Sequence, residues 1–370
     1  MRIGIMTFPN SVSFGATLQM YALYKAVEKL GAHPEILNYQ NSYMKAERHT
    51  RVIRETSTNK KRLRLAARKV LHWRQFLGFR NFEKKMRMYP GKTVDSADGL
   101  ARLSQRYDGV ICGSDQVWNP QITGEDVSYF LDYCGPETKR IAYAPSFGIT
   151  ELPEPFQARI KEELSRFSAL SVREQEGAKL LRDMLNRDVP LVLDPTFLLE
   201  QDEWIKLEQM HPAAKESYIL LFTVFSSRSL MNFCRELAEK SNKKIVVVGG
   251  NALRQLRNKD KRIEYAWDLN PGQWLYLIHH ADCVVTNSFH GTAFSIHYEK
   301  DFYVEPAPSA NSRLAQIIRT SALEDRVVGN CEADAEKHIN YSEVRNRFAQ
   351  PKEQSLSYLK ESIYQKRYFA

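Results

Sequence analysis

The segment ADCVVTNSFHGTAFSIHYEKDFYV, residues 281–304, constrains the fold of this chain more than any other stretch. Cys283 to Thr286 has the composition of a short buried strand, Thr292 onward reads as a helix carrying Phe294, Ile296 and Tyr298, and Asp301 to Val304 as the next strand. Asn287, Ser288, Phe289, His290 and Gly291 occupy the turn from strand to helix. In an open parallel sheet, ligands gather outside the carboxyl ends of the strands, where the following helix presents its positive dipole end. His290 therefore stands beside a natural cradle for phosphate or carboxylate. Ser288 and His290 are equally suited to capping the helix and bonding to backbone, so this turn alone leaves both roles open.

The same strand-to-helix rhythm runs through the rest of the chain. Residues 1–40 read as a βαβ unit: RIGIMTF, a polar loop PNSVSFG, an amphipathic helix with Leu18, Ala22, Leu23, Ala26, Val27 and Leu30, a stop at Gly31, then EILNY. YDGVICGSD, KRIAYAPSFG, ALSVRE and VPLVLDPTF follow as short apolar runs ending in polar or glycine punctuation, with helical stretches at 155–167 and 175–185. From Glu200 a second series opens with YILLFTVF and continues through KKIVVVGG, RIEYAW, CVVTN and DFYVEP, with helices near 227–241, 272–280 and 291–300. This pattern predicts α/β architecture with two Rossmann-like parallel-sheet domains, 1–199 and 200–340, and a cleft between them. Residues 341–370 read as an amphipathic helix that crosses back onto the first domain. The Gly249-Gly250 pair after a strand is a weak phosphate-loop hint.

A length of 370 residues suits two domains, each able to bury a core. No apolar run approaches the roughly 18 residues that span a bilayer, and MRIGIMTFPN enters a strand directly, so a cytosolic protein is expected. The five cysteines are odd in number, widely spaced and never C-x-x-C, which predicts reduced thiols and no zinc site. Charge is concentrated. Residues 45–92 hold 16 Lys or Arg against three Glu, a local excess of 13, so the remainder of the chain, whose total is +9, carries −4. Within this stretch Leu63, Ala66, Ala67, Val70, Trp73 and Leu77 fall at roughly helical spacing opposite the basic residues. Three readings stand: a peripheral helix on the inner face of a membrane, a solvated helical insertion in the first domain, or a nucleic-acid patch. No nucleic-acid motif accompanies the charge, and a nucleic-acid partner is not expected.

Several segments, SFGATLQMYAL, YDGVICGSDQVWNP, KRIAYAPSFG, LSVREQEGAKLL, LVLDPTFLL, VVTNSFHGTAFSI and NSRLAQIIRTSALEDRV, appear together and in order between about residue 10 and residue 328. With them the chain resembles the polysaccharide pyruvyl transferases. GSDQVWN, SVRE followed by DPT, and SFHG are the specific parts. The resemblance implies a GT-B-like pair of domains and transfer of an enolpyruvyl-derived unit from phosphoenolpyruvate to a sugar of a glycan or lipid-linked precursor, giving a cyclic ketal. No carboxylate pair or Cys/His cluster in the sequence is placed to hold Mg²⁺ or Zn²⁺, so no metal, nucleotide or cofactor is expected. At the first loop this chain has Ser13-Phe14-Gly15 where the family usually has Asn-Tyr-Gly.

Such a reaction needs a general acid, an anion clamp and a base for the acceptor hydroxyl. His290 suits phosphate contact and proton delivery, because an imidazole titrates near neutrality. Arg173, at the end of the apolar LSV, is a planar bidentate partner for the donor's carboxylate or phosphate, or else a salt-bridge residue. Arg313 in NSRLAQ completes the clamp, with Asn287, Ser288 and Gly291 as further donor-binding residues. Asp115 after VICGS and Asp194 after LVL end at the ligand edge, where either could activate a hydroxyl or cap a turn. Gly15, Gln19, Trp118 and Asn119 are the candidate acceptor contacts, with Trp118 equally suited to the core. His279 and His280 end a helical run and read as packing residues, with no metal role expected. A nucleotide-sugar glycosyltransferase on the same scaffold, and a non-catalytic glycan- or membrane-binding protein, are the alternative functions.

Overall fold

The structure, a computed structural model, describes residues 1–41, 43–44, 73–249, 258–306 and 312–365. Among these the chain divides into two compact units, one containing residues up to 44, 83–199 and 350–365, the other 73–82, 200–249, 258–306 and 312–349. Leu63, Ala66, Ala67, Val70 and Gly250 lie outside the described residues.

In the first unit, β1 (Arg2–Met6), β2 (His33–Tyr39), β3 (Met88–Val94), β4 (Gly109–Cys112) and β5 (Lys139–Ala142) form a parallel sheet in the order β3-β2-β1-β4-β5. β4 is buried along its whole length and β1 beyond its first residue, which explains their unbroken apolar runs: helices cover both faces. The second unit repeats the scheme without repeating the sequence. β6 (Tyr218–Phe222), β7 (Lys244–Val248), β8 (Ile263–Ala266), β9 (Cys283–Thr286) and β10 (Asp301–Val304) are ordered β10-β9-β6-β7-β8, again all parallel. In each unit the chain winds outward on one side of the first strand and then returns to wind outward on the other. The order therefore reverses between β1 and β4, and between β6 and β9, and at such switch points the loops splay apart to leave room for a ligand.

Several elements depart from the sequence pattern. ALSVRE and VPLVLDPTF make single parallel bridges, Ile141 to Ala169 and Val172 to Leu191, instead of ladder strands. Pro190 and Pro195 lack the N–H groups a longer ladder would need. β3 was not legible as a strand, because it lies within the basic segment and contains Pro90 and Gly91; an edge position tolerates both. The helix at residues 73–83, expected in the first domain, has its residues 73–82 in the second unit. The last helix, Tyr341–Tyr364, starts in the second unit, and its residues from 350 onward belong to the first. There Ser355 Oγ accepts from the Leu193 N–H at 2.9 Å, and the Tyr358 hydroxyl donates to the Ala142 carbonyl at 2.9 Å. Among the described residues no helix is long and apolar enough to cross a membrane.

Candidate active site

The carboxyl edge of the first sheet is built around one buried cation. Arg173 follows the bridge residue Val172, and its side chain is 2% exposed. Its Nη1 donates to Asp194 Oδ2, and its Nη2 reaches Asp115 Oδ1 at 3.4 Å. Burial opposes the charge, but Asp194, Asp115 and Glu174 together raise the Arg173 pKa above its ordinary value. One guanidinium thus faces three carboxylates. Arg173 was expected to clamp an anionic donor; in this position its charge is already committed, and a further anion would meet a surplus of negative groups.

Asp194 is fully engaged as well. Its Oδ1 accepts from the Thr196 N–H at 3.0 Å and the Thr196 hydroxyl at 2.8 Å, capping the short helix Pro195–Leu198, while Oδ2 also accepts from Ser114 Oγ at 3.4 Å. Asp115 differs: its side chain is 16% exposed, the most accessible of the two aspartates. The loop that carries it is tightly fixed. Gly113 has φ +139°, and a Cβ there would lie 1.9 Å from the Tyr143 carbonyl oxygen, so no other residue fits. Asp115 itself sits at φ +74°, a left-handed conformation that Asp tolerates better than most residues.

Gln19, expected to contact an acceptor, is wholly buried and holds this loop from behind. Its Nε2 donates to Thr7 Oγ1 and to the Ala16 carbonyl, each at 3.0 Å, and its Oε1 accepts from the Ser114 N–H at 3.2 Å. Trp118 is likewise no acceptor platform. It is fully buried, stacks on Phe130 at 5.1 Å, packs against Phe147 and Phe167, and donates its Nε1–H to the Tyr129 carbonyl at 2.9 Å. Asn119 is buried too; it caps the turn Pro120–Thr123 and bonds Gln116 Oε1 at 2.8 Å. Gly15 is buried in the first turn of the helix Phe14–Lys29, where Ser13 supplies the N-cap by accepting from the Ala16 N–H. The altered first loop therefore retains a working helix start.

The second unit presents the other candidate edge at its switch point. Asn287 was expected to bind the donor, but its amide is spent on the neighbouring loop: Oδ1 accepts from the Val224 N–H at 2.8 Å and Nδ2 donates to the Phe225 carbonyl at 3.0 Å. Ser288 is also turned inward, accepting from the Gly291 N–H at 3.3 Å as the N-cap of the helix Phe289–His297. Thr286 Oγ1 donates to the Phe222 carbonyl at 2.7 Å and accepts from the Ser288 N–H at 3.0 Å. Gly291 is required by close approach, since a Cβ there would lie 2.4 Å from Thr286 Oγ1. These contacts fix the first turn of the helix, where buried His290 meets Phe289 ring to ring at 5.1 Å. The Arg313 guanidinium lies 6.0 Å from the centre of the Phe289 ring, so Arg313 and His290 flank one aromatic side chain. A cation and a helix N-terminus here favour an anionic ligand.

Sequence reasoning missed Glu174, Ser114, Thr196 and the Val224–Phe225 loop. Glu174 adjoins Arg173 and Ser114 adjoins Asp115, which was the available hint. Among the described residues, Glu208, His279 and His280 bring ligand-type atoms within 4.8 Å of one another, and His279 Nδ1 bonds Glu208 Oε1 at 2.9 Å. That group stands at the carboxyl end of the helix Pro271–His279, away from β9's carboxyl edge. A cavity of about 850 Å³ in the first unit is lined by Asp132, Lys139, Arg140 and Tyr358. Because Lys139 begins β5, we place this cavity at the amino end of that strand and not at the switch point.

Two five-stranded parallel α/β units with polar loops at their switch points define a GT-B-like fold. Solved structures agree. The chain is similar to a UDP-GlcNAc 2-epimerase from Neisseria meningitidis bound to UDP-GlcNAc, at 11% identity over 98% of this chain and 94% of that one, with a TM-score of 0.50. It is similar also to S. aureus MnaA solved with UDP, at 12% identity over 97% and 90% of the two chains and a TM-score of 0.50. A Listeria monocytogenes protein assigned as a UDP-N-acetylglucosamine 2-epimerase gives 10% identity over 98% and 90%, with a TM-score of 0.51. At such identities the likeness shows the fold alone. No curated protein sequence matches this chain. The family model for polysaccharide pyruvyl transferases matches residues 14–304, and the chain belongs to that family. It is a transferase, and every candidate residue above except Arg313 falls in the matched range.

Proposed function

We propose that this enzyme takes its pyruvyl unit from phosphoenolpyruvate and places it on two hydroxyls of one sugar as a cyclic ketal. The family match across both sheets carries this reading. The second unit binds the donor, with the helix start at Phe289 and Arg313 opposite its phosphate. His290 delivers a proton to C3 of the donor, which turns the methylene into a methyl group and leaves C2 electron-poor. A first sugar hydroxyl adds to C2, and its proton restores the acid. Phosphate then departs with the C2–O bonding pair, a second hydroxyl adds to C2, and the proton it loses goes to the phosphate. Two hydroxyls and phosphoenolpyruvate thus balance to one ketal and hydrogen phosphate.

In the first unit, Asp115 accepts a hydrogen bond from a hydroxyl of the acceptor, and Arg173 acts as a positioning residue that fixes the Asp115 carboxylate. The acceptor is a sugar of a polysaccharide or of its lipid-linked precursor. No step uses a nucleotide or a metal ion. The direct assay combines purified enzyme, labelled phosphoenolpyruvate and polysaccharide repeat-unit acceptors. Acceptor-dependent phosphate release, with a product that yields pyruvate on mild acid treatment, is the expected result. Sugar transfer from a UDP-sugar, without any use of phosphoenolpyruvate, would replace this reading with that of a nucleotide-sugar enzyme; the UDP ligands of the fold neighbours make that the control to run.

A further inference from the structure

The helix at residues 73–83 has two apolar faces, one buried and one exposed. Phe79 and Phe82 are buried. Gly78 lies so close to Asn270 that an added Cβ would come within 2.5 Å of the Asn270 Cβ, and the Gln75 N–H donates to Asp268 Oδ1 at 2.7 Å. These contacts fasten one side of the helix to the second unit. On the other side Trp73, Phe76 and Leu77 are 50, 48 and 44% exposed. Exposed Arg80 continues the same stripe, at the spacing of successive helical turns. Guanidinium groups border the aromatic rings: Arg74 lies 5.7 Å from the centre of Trp73, and Arg80 lies 5.7 Å from that of Phe76.

Single exposed apolar side chains need no explanation, but three adjoining ones on a rigidly held helix mark a contact surface. We infer that this outward face docks on an anionic lipid surface. Trp, Phe and Leu beside Arg are the combination that enters the boundary between headgroups and acyl chains, with the rings shallowly inserted and the guanidinium groups at the phosphates. The charge agrees, since this helix belongs to the stretch 45–92 with its 16 Lys or Arg and three Glu. Self-association fits poorly: a two-fold contact through this face would bring Arg74 and Arg80 of the two copies together. Docking goes beyond the catalytic reading and is measurable with neither donor nor acceptor present, so either can fail without the other.

The test is co-sedimentation of the full chain with vesicles of phosphatidylglycerol and phosphatidylcholine, against phosphatidylcholine alone, at low and moderate salt. Binding should require the anionic lipid and weaken as salt screens it. Replacing Trp73, Phe76 and Leu77 together by Ser should lower the partition coefficient at least about tenfold, with an unchanged melting curve because the three side chains are exposed. In a Trp267→Phe background, which removes the one other tryptophan that is not fully buried, lipids brominated on the acyl chains should quench Trp fluorescence, and most of that quenching should vanish when Trp73→Phe is added; Trp118, Trp204 and Trp274 are fully buried. Absence of binding to anionic vesicles at low salt overturns the inference. So does binding that the triple substitution leaves intact, or a triple substitution that changes only the oligomeric state or the capture of an acidic protein.

Discussion

Replacing Arg173 by Met should destabilise the first unit, an effect that precedes any on donor binding. The side chain is 2% exposed and is the cation facing Asp194, Asp115 and Glu174, with Asp194 wholly buried. Met keeps the volume of the stem but leaves the carboxylates facing one another. Removing one partner of a buried ion pair costs about 3–5 kcal/mol, much of it the penalty of the charge left behind. For a unit of this size that is a fall of about 6–20 °C in melting temperature. Circular dichroism melts at neutral pH measure it. The reasoning also fixes a rescue: adding Asp194→Asn and Asp115→Asn to Arg173→Met should recover much of the loss, because fewer unpaired charges remain. An Arg173→Met protein that melts within about 2 °C of wild type, or a triple variant less stable than the single one, would refute the buried-cation account.

Trp118→Ala should cost about 3–5 kcal/mol of stability through the cavity it leaves among Phe130, Phe147 and Phe167. A variant with wild-type melting and a raised acceptor KM would instead return Trp118 to the binding surface. His290→Gln should lower turnover about 30- to 1,000-fold with little change in melting temperature; steady-state kinetics showing near-normal kcat would remove His290 from the chemistry. Burial first, then the Glu163 and Asp126 carboxylates, hold the Asp132 pKa above the usual carboxylate value. The folded chain therefore keeps this proton to higher pH than the unfolded chain, and stability falls as pH rises through that interval. Urea melts should accordingly find Asp132→Asn more stable than wild type at pH 7, with the advantage gone below the ordinary carboxylate pKa; equal stability at pH 7 contradicts this.

The strand, turn and helix around Asn287 to Gly291 were legible because a βα unit is specified locally: an apolar run, a polar turn, a capping Ser and a glycine at the close approach. What these residues do was less legible. Asn287 and Ser288 carry groups that could bind a ligand, yet both are used to hold the turn, and only their partners Val224, Phe225 and Gly291 reveal it. Trp118 posed the same problem, since a sugar platform and a core aromatic look alike until residues 130, 147 and 167 are placed around it. Arg173 could be placed at a strand end from its apolar prefix, but its partners stand 21 and 58 positions away in sequence. No periodicity encodes such distances. β3 escaped notice because an edge strand buries too little apolar surface to force a pattern.

Isothermal titration of the purified enzyme with phosphoenolpyruvate tests the central claim most directly, because donor choice separates pyruvyl transfer from nucleotide-sugar chemistry on the same fold. Saturable binding of phosphoenolpyruvate that weakens in His290→Gln and in Arg313→Gln, with no heat from UDP or UDP-GlcNAc, is the expected result. Binding of UDP or UDP-GlcNAc, with phosphoenolpyruvate giving no heat at millimolar concentration, would contradict it.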